Sequence, residues 1–136
     1  MQKVVLDTSA IIRYLTKDDS KKAEEVKRLL KEVEKVIITT ATVIETVYVL
    51  KSERINYRWK REQIADALID LLAQDNVESE PIVLSALFLW KEERRLDDIE
   101  DVINCLTAQG KEAVLWTYDK KLKKVCSDLT VSTDFS

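Results

Sequence analysis

The sequence predicts an α/β fold whose central, mainly parallel sheet is flanked by helices on both faces. Short β-branched runs alternate with longer segments in which apolar residues recur every three or four positions. The short runs are apolar throughout, which is typical of strands buried on both faces. The 136 residues include no glycine- or proline-rich linker, so we expect a single domain over residues 1–136.

In the first half of the chain, strands are predicted at 3–6, 36–39 and 77–78. Thr8 and Ser9 are expected to cap a helix over 10–15, and Asp18, Asp19 and Ser20 are expected to cap the next helix. A third helix begins at Thr40 or Thr42. The apolar positions of the second, third and fourth helices are Ala23, Val26, Leu29, Leu30 and Val33, then Val43, Val47, Tyr48 and Leu50, then Ile64, Leu68, Leu71 and Leu72.

In the second half, Pro81 is expected in the first turn of a helix that buries Leu84, Leu87, Phe88 and Trp90. A helix over 97–108 is expected to stop at Gly110. Strands at 113–117 and 129–132 are predicted on either side of a short helix over 120–125. Ligands of parallel sheets bind beyond the carboxyl ends of the strands, which is where a site is expected.

Composition excludes several classes of chemistry. The chain has no histidine, which removes histidine-based nucleophilic catalysis and histidine metal ligation. Its one glycine excludes glycine-rich phosphate loops, and a net charge of −3 gives no bulk attraction to nucleic acid. Cys105 and Cys126 are too few for a four-cysteine zinc site and are most simply buried free thiols, although a disulfide stays open. No signal peptide or membrane span is apparent, so a cytoplasmic location is expected.

Carboxylates occupy the positions where a site is expected. Asp7 and Asp119 follow predicted strands, and Glu45 is flanked by apolar residues on its helix. Asp98 and Asp101 are three residues apart and share a helix face. Each acid alone fits helix capping, but clustered carboxylates repel each other unless a cation compensates.

Oxygen ligands without histidine or thiolate favour Mg²⁺ or Mn²⁺ over zinc. Such an ion activates a bound water and binds phosphate oxygens, and one or two ions would suit phosphodiester hydrolysis.

Four segments of the chain resemble the motifs of the PIN domain family, and within it the VapC-type toxins of toxin–antitoxin pairs. The first is Val4-Val5-Leu6-Asp7-Thr8-Ser9, and the second is Val43-Ile44-Glu45-Thr46. The third is Asp97-Asp98-Ile99-Glu100-Asp101, and the fourth is Trp116-Thr117-Tyr118-Asp119. Their order and spacing agree with the family over nearly the whole chain. Val102, Cys105 and Leu122 depart from the usual pattern but remove no acid.

The resemblance implies a PIN-like α/β/α sandwich and an endoribonuclease dependent on Mg²⁺ or Mn²⁺. Asp7, Glu45, Asp101 and Asp119 would be the catalytic acids, and these four with Asp98 would be the metal ligands. Thr8 and Thr117 would orient a carboxylate or water. It further implies a homodimer, an antitoxin partner seated in a groove, and contact with DNA only through the antitoxin.

RNA binding requires cations beside these acids. Arg13 is the preferred candidate for a phosphate contact, and other candidates are Lys17, Lys51, Arg54, Arg58, Lys60, Arg61 and the lysines of 120–124. We expect most of these lysines to be solvated surface residues. The helices over 20–33 and 57–73 are expected to present an apolar groove.

Two other functions stay open at this stage. A catalytically inactive PIN-fold binding module would keep the fold without using the acids. A phosphotransfer protein of the haloacid dehalogenase or receiver type also places an aspartate after its first strand. The haloacid dehalogenase pattern requires a second aspartate two residues later, where this chain has Ser9, and neither pattern explains Glu45.

Overall fold

The computed structural model describes residues 2–52 and 57–134. Arg54, one of the candidate phosphate contacts, lies outside these residues. By its internal contacts the chain divides into two compact units, Met1–Leu84 and Ser85–Ser136. The helices and strands of each unit are described in turn.

A three-stranded parallel sheet forms the centre of the first unit. It consists of β1 (Lys3–Val5), β2 (Lys35–Ile37) and β3 (Val77–Glu78), in the order β1-β2-β3. The three strands were predicted to within two residues at each end. The register aligns Val4 with Val36 and Val36 with Val77, so β-branched residues run across the sheet.

Four helices accompany this sheet. They are α1 (Thr8–Thr16), α2 (Ser20–Glu32), α3 (Thr40–Lys51) and α4 (Arg61–Leu72). Helix α1 packs against α2 and α3, and α3 packs against α4. The residues that hold them together are fully or almost fully buried: Ile11, Val36, Ile38, Val43, Val47, Leu50, Ile64, Leu68 and Leu71. The Asn76 side chain donates to the carbonyls of Leu30 and Val33, which ties the end of α2 to the turn before β3.

Helix α5 (Pro81–Glu92) begins in the first unit and continues into the second, which also contains α6 (Ile99–Gly110) and α7 (Lys120–Asp128). Trp90 is 1% exposed, and its indole N–H donates to the Asp97 carbonyl at 3.0 Å. This bond gives a buried donor its partner and fixes the segment that leads into α6. Cys105 and Cys126 are free and buried, as predicted, and burial raises the pKa of both thiols.

Two predicted strands are not formed. The segments 113–117 and 129–132 are irregular and are joined by a bond from the Leu115 N–H to the Ser132 carbonyl at 2.8 Å. The prediction that Asp119 follows a sheet strand is therefore wrong. An apolar run becomes a strand only when a neighbouring strand forms hydrogen bonds with its backbone, and the sequence does not show whether such a strand is present.

Several helix boundaries and faces also differ from prediction. The residue before α1, Asp7, caps it in place of Thr8 and Ser9, and α3 is capped by Thr39. Helix α6 begins at Ile99, two residues later than predicted, and includes Gly110. Tyr48 and Phe88 are 69% and 54% exposed, so their predicted burial is wrong. Within the described residues, no helix has the length and apolar character needed to cross a membrane.

Candidate active site

Asp7 links the first strand to the first helix. Its Oδ1 accepts the Ser9 hydroxyl at 2.7 Å and the Ala10 N–H at 3.2 Å, which is the geometry of a helix N-cap. These bonds, that from Ser9 foremost, hold the pKa of Asp7 below its usual range. Within the described residues Oδ2 has no hydrogen-bond partner, so an anionic oxygen with fixed orientation is left for a ligand.

Glu45 projects from α3 as an exposed side chain. It makes no hydrogen bond or ion pair within residues 2–52 and 57–134, although its helix is otherwise well anchored in the core. Neighbouring positions Val43, Thr46 and Val47 are buried, and the Thr46 hydroxyl donates to the Thr42 carbonyl at 2.8 Å. The core therefore fixes the helix that presents this carboxylate.

Asp7 and Glu45 line one cavity of about 430 Å³, which we call the first acidic pocket. Thr8 and Arg13 also line it, as the sequence predicted for residues close to the site. The full lining is Asp7, Thr8, Ser9, Ile12, Arg13, Thr42, Glu45, Val49 and Tyr57. Tyr57 was not predicted as a site residue, because its bond to Asp18 crosses 39 positions of the chain.

The second unit brings the other three predicted acids together. Asp98, Asp101 and Asp119 line a cavity of about 110 Å³, which we call the second acidic pocket. Asp98 is the N-cap residue of α6 and Asp101 lies in the first turn of that helix. The remaining lining residues are Arg95, Leu96, Asp97, Lys121 and Leu122. Two cations, Arg95 and Lys121, therefore border this pocket. Lys121 is one of the candidate lysines of 120–124, whereas Arg95 was missed as a site residue.

Asp119 is held by the start of α7. Its Oδ1 accepts the Leu122 N–H at 3.0 Å, and its own N–H donates to the Thr117 hydroxyl at 3.1 Å. Thr117 therefore holds the backbone of Asp119, and its predicted role of orienting a carboxylate or water stays a prediction. Within the part of the chain that the structure describes, Oδ2 of Asp119 has no hydrogen-bond partner in the protein, so its arrangement resembles that of Asp7.

The ionised carboxylate of Asp101 is repelled by neighbouring acids. Burial is the largest cause that raises its pKa, followed by the charges of Asp98, Asp119 and Glu100. Arg95 does not offset this charge fully, because its guanidinium is bound to Glu93 at 2.8 Å and Asp128 at 2.7 Å. A cation in the second acidic pocket would relieve this repulsion.

The donor atoms fit Mg²⁺ or Mn²⁺ in chemistry, since all of them are oxygens. Within the described ranges, however, no group of three or more acidic or cysteine side chains is close enough to hold one metal ion. Mg²⁺ typically keeps several waters and takes one or two carboxylates with substrate phosphates, so an incomplete protein cage is compatible with it.

Comparison with known proteins gives one family. A model of the PIN domain matches residues 4–128, which includes all the predicted site residues. No curated protein and no solved structure matches the chain. The chain therefore belongs to the PIN domain family, whose members are generally nucleases that use divalent metal ions.

Proposed function

We propose that this protein is an endoribonuclease dependent on Mg²⁺ or Mn²⁺ and the toxin of a toxin–antitoxin pair. The observation that carries the proposal is the second acidic pocket, where Asp98, Asp101 and Asp119 line one small cavity in a chain of a nuclease family. The mutual repulsion of such close carboxylates destabilises the folded protein unless a cation neutralises them.

In this proposal the metal ligands are Asp7, Glu45, Asp98, Asp101 and Asp119. When bound, the divalent ion supplies an activated water and neutralises charge on the scissile phosphate. The helix caps hold one oxygen of Asp7 and one of Asp119 and leave the other oxygen of each for the ion. Thr117 keeps the Asp119 backbone in place.

A cleavage assay tests the proposal. Purified protein is incubated with a mixed pool of single-stranded RNA in Mn²⁺, in Mg²⁺ and in EDTA, with single-stranded DNA in parallel. We expect RNA cleavage in either metal and none in EDTA. Asp119→Asn should lower the rate by at least about a hundredfold, as expected when a metal site is disturbed.

Asp75→Asn is the matched control, because Asp75 is exposed and lines neither acidic pocket. It should cleave like the wild type. Cleavage that persists in EDTA or in Asp119→Asn would contradict the proposal. A folded wild type that binds RNA without cleaving it would favour the inactive binding module. The phosphotransfer alternative has no support in the family match.

An antitoxin and a second copy of the chain are the proposed protein partners, and contact with DNA is proposed only through the antitoxin. A cavity of about 330 Å³ between α1, α2 and α4 supports the antitoxin groove. Apolar Leu15, Ala23 and Leu71 line it, and charged Lys17, Glu24, Lys27 and Asp70 border it. Exposed Phe88 is a candidate dimer contact, which light scattering of Phe88→Ser would test.

A further inference from the structure

Arg13, Asp18 and Tyr57 form a bonded group beside the first acidic pocket. Asp18 Oδ2 accepts Arg13 Nη1 at 3.0 Å and the Tyr57 hydroxyl at 2.9 Å. The Arg13 and Tyr57 side chains line the pocket that also contains Asp7 and Glu45, and Asp18 does not line it. A single carboxylate oxygen thus holds a cation and an aromatic ring at the edge of a carboxylate pocket.

The backbone explains how these residues meet. Arg13 lies in the last turn of α1, and the C-cap residue that follows this helix, Lys17, has φ 58° and ψ 24°. This left-handed residue turns the chain, and the Lys17 N–H returns to the Arg13 carbonyl at 3.0 Å. Asp18 therefore emerges close to the Arg13 side chain. Tyr57 reaches the same carboxylate from a segment 39 positions further along.

The bonds leave the ligand-binding parts of both side chains available. Within the described residues, Nη1 is the only guanidinium nitrogen of Arg13 with a protein partner, so Nε and Nη2 remain as donors. Tyr57 is bound through its hydroxyl and is half-buried, which leaves ring surface towards the pocket. Among the described residues that line this cavity, Arg13 is the one cation.

An exposed ion pair usually contributes little to stability, so stability alone does not account for this arrangement at the pocket. A guanidinium that keeps free donors matches a phosphate, and an aromatic ring matches a nucleobase of any sequence. One nucleotide of a single-stranded RNA presents both groups.

We propose that Arg13 and Tyr57 form a nucleotide-binding subsite, in which Arg13 binds a backbone phosphate and Tyr57 stacks on the adjoining base. Asp18 is a positioning residue that holds both side chains. This inference rests on the proposed function, because it takes RNA as the substrate. It adds a base contact that does not depend on sequence and a source for the affinity that the acidic pocket alone lacks.

Fluorescence anisotropy with two probes tests the subsite. One probe is a labelled oligouridylate, and the other is an abasic ribose-phosphate oligomer of the same length, both in Ca²⁺ to limit cleavage. Tyr57→Ala should weaken binding of oligouridylate roughly tenfold, as expected for one lost stacking contact, and leave the abasic oligomer unchanged. Tyr57→Phe, which keeps the ring, should lose less.

Arg13→Ala should weaken binding of both oligomers by a similar factor and reduce the salt dependence by about one phosphate contact. Asp18→Ala should lower the ratio of oligouridylate to abasic affinity, which a general loss of stability would not do. The matched controls are Tyr48→Ala and Arg28→Ala, since both residues are exposed and neither lines the pocket. Circular dichroism melts confirm that each variant is folded.

The outcomes separate the two proposals. Wild-type protein that binds both oligomers, with Tyr57→Ala binding them equally well or losing both alike, would overturn the subsite and leave the ribonuclease proposal intact. Wild-type protein that binds neither oligomer would also overturn the subsite, and cleavage of the mixed RNA pool would then decide the ribonuclease proposal separately. Selective loss of oligouridylate binding in Tyr57→Ala, with both controls unchanged, is the result that the subsite requires.

Discussion

The two acidic pockets differ in the electrostatic state of one carboxylate each, Asp7 in the first and Asp101 in the second. In the first, hydrogen bonds from Ser9 and Ala10 lower the pKa of Asp7, and Arg13 adds a positive charge to the lining. In the second, burial and three neighbouring acids raise the pKa of Asp101. Asp7 is therefore stabilised as an anion by the fold itself, whereas Asp101 carries a charge that the fold opposes.

This difference separates two roles that a cluster of acids can have. A capping carboxylate contributes to stability without any ligand, because the helix N-terminus supplies its partners. A carboxylate kept among like charges costs stability until a cation arrives. We therefore expect the second acidic pocket to be the more responsive of the two to divalent ions.

The largest expected effect is the stabilisation of the folded protein by metal. A ligand at about one hundred times its Kd stabilises the native state by about 2.7 kcal/mol. Addition of Mn²⁺ should therefore raise the Tm of the wild type clearly above its value in EDTA, as followed by calorimetry. The Asp101→Asn variant should show little of this increase. An equal rise in Tm in both proteins would contradict the assignment of Asp101 to a metal site.

A smaller effect is expected at the cap of α1. Asp7→Ala removes the acceptor of the Ala10 N–H and should lower the free energy of unfolding by about 1 kcal/mol in EDTA. Asp7→Asn keeps a capping oxygen and should retain most of this stability. Urea denaturation of the two variants measures the difference. If Asp7→Asn loses as much as Asp7→Ala, the charge and not the cap stabilises this residue.

The smallest expected effect is a gain in stability, produced by removing the charge of Asp101 in the absence of metal. In EDTA at neutral pH, Asp101→Asn should be more stable than the wild type, by less than about 1 kcal/mol because solvent screens this partly exposed group. Because the folded pKa of Asp101 is raised, its contribution to stability is complete below the unfolded pKa and is lost as the pH rises through the folded one.

The advantage of the variant should therefore be absent below about pH 4 and grow towards pH 7. Denaturation at several pH values measures it, with Asp75→Asn as the control. A variant that is less stable than the wild type at neutral pH would show that Asp101 has a favourable partner in the metal-free protein.

Much of the fold follows from local patterns in the sequence. The helices and the three strands of the first unit were predicted because apolar periodicity and capping residues are local properties. The strands at 113–117 and 129–132 were wrong, because pairing depends on a partner backbone. Tyr48 was misplaced because α3 is apolar around most of its circumference, so its buried face is ambiguous in the sequence.

The sequence predicted one cluster of acids from the position of Asp7 after a strand and the spacing of Asp98 and Asp101. The structure places the predicted acids around two pockets, and their role as metal ligands stays a prediction. The capping role of Asp7 was not separable from that of Thr8 and Ser9 in the sequence. Tyr57 was missed because its bond to Asp18 crosses 39 positions and no local pattern encodes such a contact.

The central claim is that the proposed ligands of each acidic pocket take part in the binding of a divalent cation. Titration calorimetry with Mn²⁺ tests it most directly, because it needs no knowledge of the RNA sequence. Glu45→Gln and Asp101→Asn represent the two pockets, and Glu25→Gln is the control on the exposed face of α2. We predict that both pocket variants bind Mn²⁺ at least about tenfold more weakly than the wild type and the control do. Wild-type binding that either pocket variant retains in full would contradict the claim.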